Sequence, residues 1–587
     1  MTGPYVEIGP ADLDGGWSTS HVAPREVVGA LAAAAVLTAG LVGIAAWHGA
    51  LGAARNDDWA YLRSATVFAA DGTFVPESST AMLVGQTVLA WPLVRLFGAG
   101  VAPLQIAVAI LGALGLVAAY LVVRRVVPRG WSAFAVGCLA LGPLYGSLGV
   151  SFMTDVPAFA FEMFALLAGV RALAARHHVV AWYAASLTAG FVAFSIREYA
   201  VAAPLAVSGA LLVRQRARRR RPREAWALAG LAGVWAAGIT GIFVWRRGVV
   251  GAVPVLVDAG RGRPILVPLI AVVFTLGLLA APVVPLVSLD RLLTALRACP
   301  LRAVTLASVT CMAWGRLAWG GGHGVLLGNY VTTAGSYSDT LPGVAPAILS
   351  PLVFGIVEAA ALAGALTVGL LALARVVATV RPVGRTPGAR PRLVLPDGPE
   401  VLVLMFCVLT LGILAAAKLV ANAPLFDRNL VPIVPFVVAL AVRATLTHQV
   451  VVRRRALAAT LGLAAFTVFG LGMVDASATF DGAKRDLAQT VVAAGYDPAA
   501  IDGGYEWFSG HQPGLVVAIR PEAAGTNWWV RYFPERPICV TSRFGGVADL
   551  GPRAAGREAF GVRARSLLGA RYDLVAVPDL VACPTGR

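Results

Sequence analysis

Apolar residues in this chain come in long unbroken runs separated by short polar stretches. The runs lie near 27–51, 101–123, 130–148, 157–175, 180–196, 199–213, 226–245, 264–288, 303–319, 345–374, 400–420, 429–447 and 456–474. A helix of about 20 apolar residues spans the hydrocarbon core of a bilayer, so the pattern predicts about thirteen spans. The segment 81–97 is apolar but shorter and carries Gln86 and Arg95; it reads as an interfacial or re-entrant helix. Beyond residue 474 the pattern changes. Short alternating runs, Leu515–Ile519, Trp528–Phe533 and Leu574–Val577, stand between Gly, Pro and Asp turns. They predict strands of a small α/β domain, long enough to fold alone. The expected fold class is an all-α polytopic membrane protein with a small C-terminal α/β domain. It divides into a tail 1–26, a transmembrane part 27–474 with an outer loop 52–80, and a domain 475–587.

Composition agrees. Hydrophobic residues make up 58% of the chain and charged residues 13%, against about 45–50% and about 25% in soluble domains. The first 24 residues are polar and Pro/Gly-bearing, and the first run is too long for a signal-peptide core, so it is expected to stay as a helix.

The net charge of +17 raises nucleic acid as a partner, and its distribution removes it. Residues 475–587 hold 12 basic and 12 acidic side chains, whereas residues 1–474 hold 36 and 19. The excess therefore sits between the apolar runs, where it reports topology. With the N-terminus inside, alternate loops collect Arg25; Arg124, Arg125 and Arg129; Arg171 and Arg176; Arg214 to Arg223; Arg291, Arg297 and Arg302; Arg375 to Arg392; and Arg443 to Arg455. The basic run Arg214–Arg223 reads as a cytoplasmic stop against anionic lipid. This threading puts Asp57/Asp58, Asp155, the loop 320–342 and the turn with Lys418, Asp427 and Arg428 outside. An odd number of spans puts 475–587 outside as well. The Arg-rich, Ala/Gly/Val-rich composition suggests a high-GC bacterial genome, and the expected location is the bacterial cytoplasmic membrane. The six cysteines show no metal-binding spacing; Cys539 and Cys583 could pair if their domain is extracytoplasmic.

In so apolar a chain, the few charges near span ends are the informative ones. Asp57 and Asp58 are adjacent, in Arg55-Asn56-Asp57-Asp58-Trp59-Ala60-Tyr61. Helix capping is the plain reading, but only one of the two can be the cap. Asp155 opens the fourth span in Thr154-Asp155-Val156-Pro157, where capping is again an alternative. Glu162 lies two turns deeper and reads as an interhelical hydrogen-bond partner. Arg197-Glu198-Tyr199 form a turn in which a local ion pair is the plain reading. Arg428 precedes Pro432 and Pro435; it either snorkels or clamps a phosphate with its planar fork of donors. Carboxylates and arginines on one face suit attack by a hydroxyl acceptor on a lipid-phosphate sugar. A carboxylate would take the acceptor proton and cations would stabilise the departing phosphate. In the tail, Ile501–His511 offers aromatics and glycines for a carbohydrate surface, or simply a strand and turn; a metal at Glu506 and His511 is a further option.

These motifs resemble the GT-C superfamily of polyprenyl-phosphate-sugar-dependent glycosyltransferases, nearest the protein O-mannosyltransferase and aminoarabinose-transferase branch. Asp57-Asp58-Trp59-Ala60-Tyr61 matches the Asp-Glu-x-x-Tyr motif of its first outer loop, with Asp for Glu. Asp155-Val156-Pro157 matches its Asp-x-Pro step. Arg428 with Pro432 and Pro435 matches its Arg-aromatic step, with Asn429 in the aromatic position. The stretch Glu77–Gln86 lacks the Pro pair common in relatives. The resemblance covers about residues 25–475. It implies an inverting transferase with Asp57 as general base, Asp58 beside it, and Asp155 as a second carboxylate near the acceptor or a metal. Tyr61, Arg197, Glu198 and Arg428 are the expected substrate-binding residues, with Arg428 on the phosphate. The expected partners are a polyprenyl-phosphate sugar donor, an extracytoplasmic protein, lipid or glycan acceptor, and the bilayer. No cofactor is expected beyond, at most, a divalent metal ion. The competing reading is a secondary transporter or lipid-linked-sugar flippase without covalent chemistry. Its repeats and midplane site have no counterpart in a chain whose ionisable residues gather at one rim. A third reading is a non-catalytic subunit that kept the fold.

Overall fold

The computed structural model describes residues 22–76, 82–218, 222–249, 266–288, parts of 305–315, 324–336, 338–382, 391–393, 398–448, 453–514, 527–545, 559–579 and 583. Helices come first in chain order: α1 (Pro24–Trp47), α2 (Asp58–Asp71), α3 (Val84–Phe97), α4 (Val101–Val123), α5 (Arg129–Ala140), α6 (Tyr145–Gly149), α7 (Asp155–Ala174), α8 (Val179–Ile196), α9 (Ala202–Arg218) and α10 (Pro222–Gly248). They continue with α11 (Leu266–Leu279), α12 (Pro351–Thr379), α13 (Pro399–Ala421), α14 (Val434–His448), α15 (Arg453–Ala493) and α16 (Tyr505–His511). A ribbon of β1 (Val380–Pro382) and β2 (Pro391–Leu393) follows α12, and the tail holds β3 (Ile501–Asp502), β4 (Val540–Phe544), β5 (Phe560–Arg565) and β6 (Arg571–Pro578).

Among the described residues, eight helices are long and apolar enough to cross a membrane: α1, α4, α7, α8, α10, α12, α13 and α15. Shorter apolar helices are α3, α11 and the stretch Val434–Leu446 of α14. A multi-pass membrane protein follows, because helices satisfy their own backbone hydrogen bonds where no water can. Proline marks several starts. Pro24 and Pro399 stand in the first turn of α1 and α13, where the missing N–H costs nothing.

Several run boundaries move, each for a local reason. The run 130–148 is two helices, α5 and α6, parted at the Gly142-Pro143 step. The run 264–288 ends as an α-helix at Leu279 and turns 3₁₀ over Ala281–Leu286, where Pro282 and Pro285 remove donors. The run 429–447 starts late, at Val434, after a 3₁₀ turn over Asp427–Leu430. The segment 81–97 is the short helix α3, packed on α2 and α8. The run 303–319 lies largely outside the described residues, as do Arg291, Arg297 and Arg302.

The boundary drawn at 474/475 falls inside α15, which continues unbroken for 41 residues, about 60 Å at 1.5 Å per residue. Its second half is buried by the loop after α1 and by the tail. A Cβ at Gly482 would collide with the carbonyl of His48, so backbone meets backbone there. The tail sheet runs β3-β4-β6-β5, with β3 and β4 parallel and the other pairs antiparallel. The expected strand at Leu574–Val577 lies within β6. The alternating run Trp528–Phe533 is instead a turn, with Val530–Tyr532 in a 3₁₀ helix. Its rings pack on Tyr505 and Trp59, and the Trp529 indole donates to Asp502. Ring packing, not strand pairing, explains that pattern. Leu515–Ile519 lies outside the described residues. Cys539 and Cys583 are joined in a disulfide.

Candidate active site

Four distant segments and the tail bring their charges together at one end of the bundle. The loop after α1 supplies Asp57. Asn56 before it takes a left-handed backbone (φ 50°), which Asn tolerates better than most residues, and its N–H donates to Glu506 at 3.2 Å. Asp57 then occupies the N-cap position of α2 without a side-chain capping bond. Its carboxylate faces outward from the helix end instead. Tyr505 in α16 donates its hydroxyl to Asp57 Oδ1 at 3.2 Å, and Arg428 Nη2 stands 3.9 Å from Asp57 Oδ2.

Asp58 points the other way. It is fully buried and accepts from the backbone N–H groups of Phe152 at 3.0 Å and Arg55 at 3.2 Å. Burial pushes its carboxyl up to about 8, against the pull of those N–H groups and of Arg55. Asp58 thereby ties the first loop to the segment that leads into α7. The adjacent carboxylates serve different neighbours.

Asp155 begins α7 and is fully buried. Arg197, just past α8, donates Nη2 to both its oxygens at 3.2 and 3.3 Å, and Tyr199 donates its hydroxyl at 3.3 Å. Arg197 therefore pairs across the bundle rather than with its neighbour Glu198. Arg428 Nε stands 4.0 Å from Asp155 Oδ2. Arg428 is buried, not snorkelling: 5% of its surface is exposed. Its guanidinium lies over the Phe426 ring, 4.7 Å from the centroid, and its Nε and Nη1 make no hydrogen bond among the described residues. Asp427 fixes its backbone by accepting from Arg428 N, Tyr330 N and Val331 N at 2.8 to 3.0 Å.

Tyr61 is buried in the field of Asp57, Arg197, Arg428 and Asp155; burial first and Asp57 next hold its hydroxyl above the ordinary tyrosine range. Glu198 is half-buried. Burial raises its carboxyl to about 7, opposed by its own backbone amide and by Arg197 and Arg246. It lies beside this cluster without a direct bond to Asp57 or Asp155 among the described residues. Glu162 is buried with neither oxygen hydrogen-bonded among the described residues, so the interhelical bond expected of it is not made there.

A second charged layer supports the first. Arg55 is completely buried between Asp481 Oδ2, at 3.1 Å, and the Ser147 carbonyl, at 3.4 Å. Lys484 bridges Asp481, at 3.5 Å, and Glu506, at 2.9 Å. Glu506 is thus bound to Lys484 and Asn56, while His511 Nδ1 sits on the Trp507 carbonyl. Among the described residues no group of three or more His, Cys, Asp and Glu side chains could hold a metal ion. At Asp155 the donor set does not fit one either, because two guanidinium groups already face its oxygens.

Sequence patterns point to Asp57, Asp155, Arg197 and Arg428, and the fold gathers them. They miss the contact of Tyr505 with Asp57 and the Arg55–Asp481–Lys484 layer, and they offer Glu506 only as a metal ligand, whereas it pairs with Lys484. The available signal was α15 itself: Asp475, Asp481 and Lys484 carry on at helical spacing beyond the apolar run.

Residues 85–245 match the family model of dolichyl-phosphate-mannose-protein mannosyltransferases; the segment includes Asp155 and Arg197. No curated protein matches the chain. Among solved structures, ArnT from Cupriavidus metallidurans in the apo state is similar at 16% identity, covering 92% of this chain and 97% of that one, with a TM-score of 0.38. ArnT from the same organism bound to undecaprenyl phosphate gives 16% identity, 94% and 98% coverage and 0.39. Arabinosyltransferase EmbB from Mycobacterium smegmatis gives 14% identity, 80% and 43% coverage and 0.31. By the family match and the order of its motifs, the chain resembles the GT-C glycosyltransferases in their protein-mannosyltransferase and aminoarabinose-transferase branch.

Proposed function

We propose that the chain is a membrane glycosyltransferase that moves a monosaccharide from a polyprenyl-phosphate donor to an extracytoplasmic hydroxyl acceptor. The observation that carries this reading is Arg428: a buried guanidinium with two nitrogens unspent, 3.9 and 4.0 Å from two carboxylates. A phosphate oxygen is the ligand such a fork suits.

In this reading Asp57, the more exposed carboxylate, is the general base. The acceptor hydroxyl attacks the anomeric carbon while its proton passes to Asp57. The bond from that carbon to the phosphate oxygen breaks, and polyprenyl phosphate leaves with the electron pair, stabilised by Arg428. A single displacement of this kind inverts the anomeric centre. Tyr505 holds the Asp57 carboxylate in place by its hydrogen bond. Asp155 fixes Arg197 and Arg428 rather than binding a metal, and Asp58 positions the loop. Tyr61 closes the site beside Asp57, and Glu198 shapes its edge. The arginines concentrated at the opposite helix ends support an inner face there and an outer face for the site, in a bacterial cytoplasmic membrane.

The test is transfer of labelled sugar from a panel of polyprenyl-phosphate donors, with release of polyprenyl phosphate followed alongside. Wild-type transfer that Asp57→Asn abolishes supports the reading. Movement of intact donor across a proteoliposome bilayer, with no release of polyprenyl phosphate, contradicts it in favour of a flippase.

A further inference from the structure

The β5–β6 hairpin carries an uncompensated pair of like charges at its tip. Arg563, Arg565, Arg571 and Asp573 share one face of the two strands. Arg563 stands opposite Asp573 and pairs with it at 3.2 Å. One step nearer the tip, Arg565 stands directly opposite Arg571. Both are exposed, and neither has a hydrogen bond or ion pair among the described residues. Like charges directly across a ladder destabilise it, and an anion seated between them would relieve that.

The tip is held at a defined level of the molecule. Leu567 N donates to Asp475 Oδ2 at 2.6 Å, and Leu568 lies over Gly472, where a Cβ would come within 2.7 Å of it. Asp475 is the first carboxylate of α15 after its apolar run. His48, the residue after α1, reaches the other oxygen of Asp475 at 2.8 Å. Two membrane-length helices therefore leave their apolar runs at the height of this tip. Leu567 there is 87% exposed and the neighbouring Trp47 86%, the amphipathic mixture found at a membrane surface. Between the hairpin and α1 an open cleft of about 700 Å³ is lined by Gly40, Gly43, Ile44, Trp47, Arg565 and Leu567, among others. Gly40 and Gly43 face open space, leaving a smooth apolar channel along α1. None of these residues belongs to the candidate active site.

We propose that this cleft binds an anionic glycerophospholipid, with its phosphate at the rim against Arg565, where Arg571 stands opposite on the next strand, and an acyl chain along Gly40 and Gly43. Leu567 enters the bilayer surface beside it. The hairpin thus anchors the tail to the membrane independently of the transfer chemistry.

The experiment uses full-length protein in detergent, titrated with short-chain phosphatidylglycerol, phosphatidylcholine or inorganic phosphate. Native mass spectrometry counts retained lipid, and thermal unfolding follows stability. Phosphatidylglycerol alone should be retained and raise the unfolding midpoint. Arg565→Gln and Arg571→Gln should each weaken it about fivefold, and exposed Arg536→Gln should not. Without lipid the effect on stability should reverse, because either Gln removes the like-charge contact and raises the midpoint. Equal retention of phosphatidylglycerol by the double variant would overturn the proposal. So would an equal shift with phosphatidylcholine, or with inorganic phosphate, which would mean no lipid is needed.

Discussion

The two ends of the helical bundle hold similar ions in opposite conditions. At the arginine end the pairs are close. Glu26 accepts from Arg124 at 2.9 Å and from the Tyr120 hydroxyl at 2.6 Å. Glu400 accepts from Arg443 at 2.8 Å, and Arg443 also donates to the Val126 carbonyl. Arg214 donates to two carbonyls at the end of α7. At the other end Arg428 stands about 4 Å from Asp57 and Asp155 with donors to spare. Close pairs hold helices together, whereas a buried cation held about 4 Å from its counter-charges costs stability unless a ligand completes it. That difference sets the arginine end apart from the end proposed to be reactive.

The sharpest way to break the contrast is to neutralise Asp57. Asp57→Asn should lower turnover by about 10²–10⁴-fold with folding intact, as read by labelled-sugar transfer and thermal unfolding together. Arg443→Ala at the other end should do the reverse. It leaves Glu400 short of a partner and lowers stability by roughly 2 kcal/mol, while turnover of the folded protein stays near wild type. If Arg443→Ala abolished turnover as Asp57→Asn does, the two ends would not differ as described.

Smaller changes sharpen the picture. Tyr505→Phe removes one hydrogen bond to Asp57 and should cost about tenfold in turnover, with the acidic limb of the pH–rate profile moved to higher pH. An unchanged profile would make Tyr505 a packing residue only. Asp58 provides the subtlest test. Its folded carboxyl titrates near about 8, against about 4 in an unfolded chain. Between those values the folded protein keeps a proton that the unfolded chain has released, so stability falls as pH rises through that window. Asp58→Asn should flatten this slope, so the variant gains on wild type between pH 5 and pH 8 in thermal unfolding. A parallel pair of curves would remove Asp58 as the source.

The candidate site was legible in the sequence because charge is scarce in this chain. Asp57, Asp155, Arg197 and Arg428 stood out against apolar runs, and the threading put them on one side. The pairing was less legible. Arg197 next to Glu198 reads as a local pair, yet the end of α8 aims it at Asp155. Tyr505 lies 448 positions from Asp57, so no local pattern links them. The polar residues of α15 beyond 474 looked like the start of a new domain, because a helix leaving a membrane changes composition without changing conformation. The ring cluster Trp528–Phe533 alternates like a strand, since aromatic packing uses the same residues that strands favour.

The most direct test is binding of sugar-free polyprenyl phosphate to the purified full-length protein, measured by native mass spectrometry or thermal shift. Wild type should bind it, Arg428→Ala should weaken binding by about 10²-fold, and Arg428→Lys should restore only part, since it keeps the charge but loses the fork. Equal binding by wild type and Arg428→Ala would contradict the account, because the unspent guanidinium would then not be waiting for a phosphate.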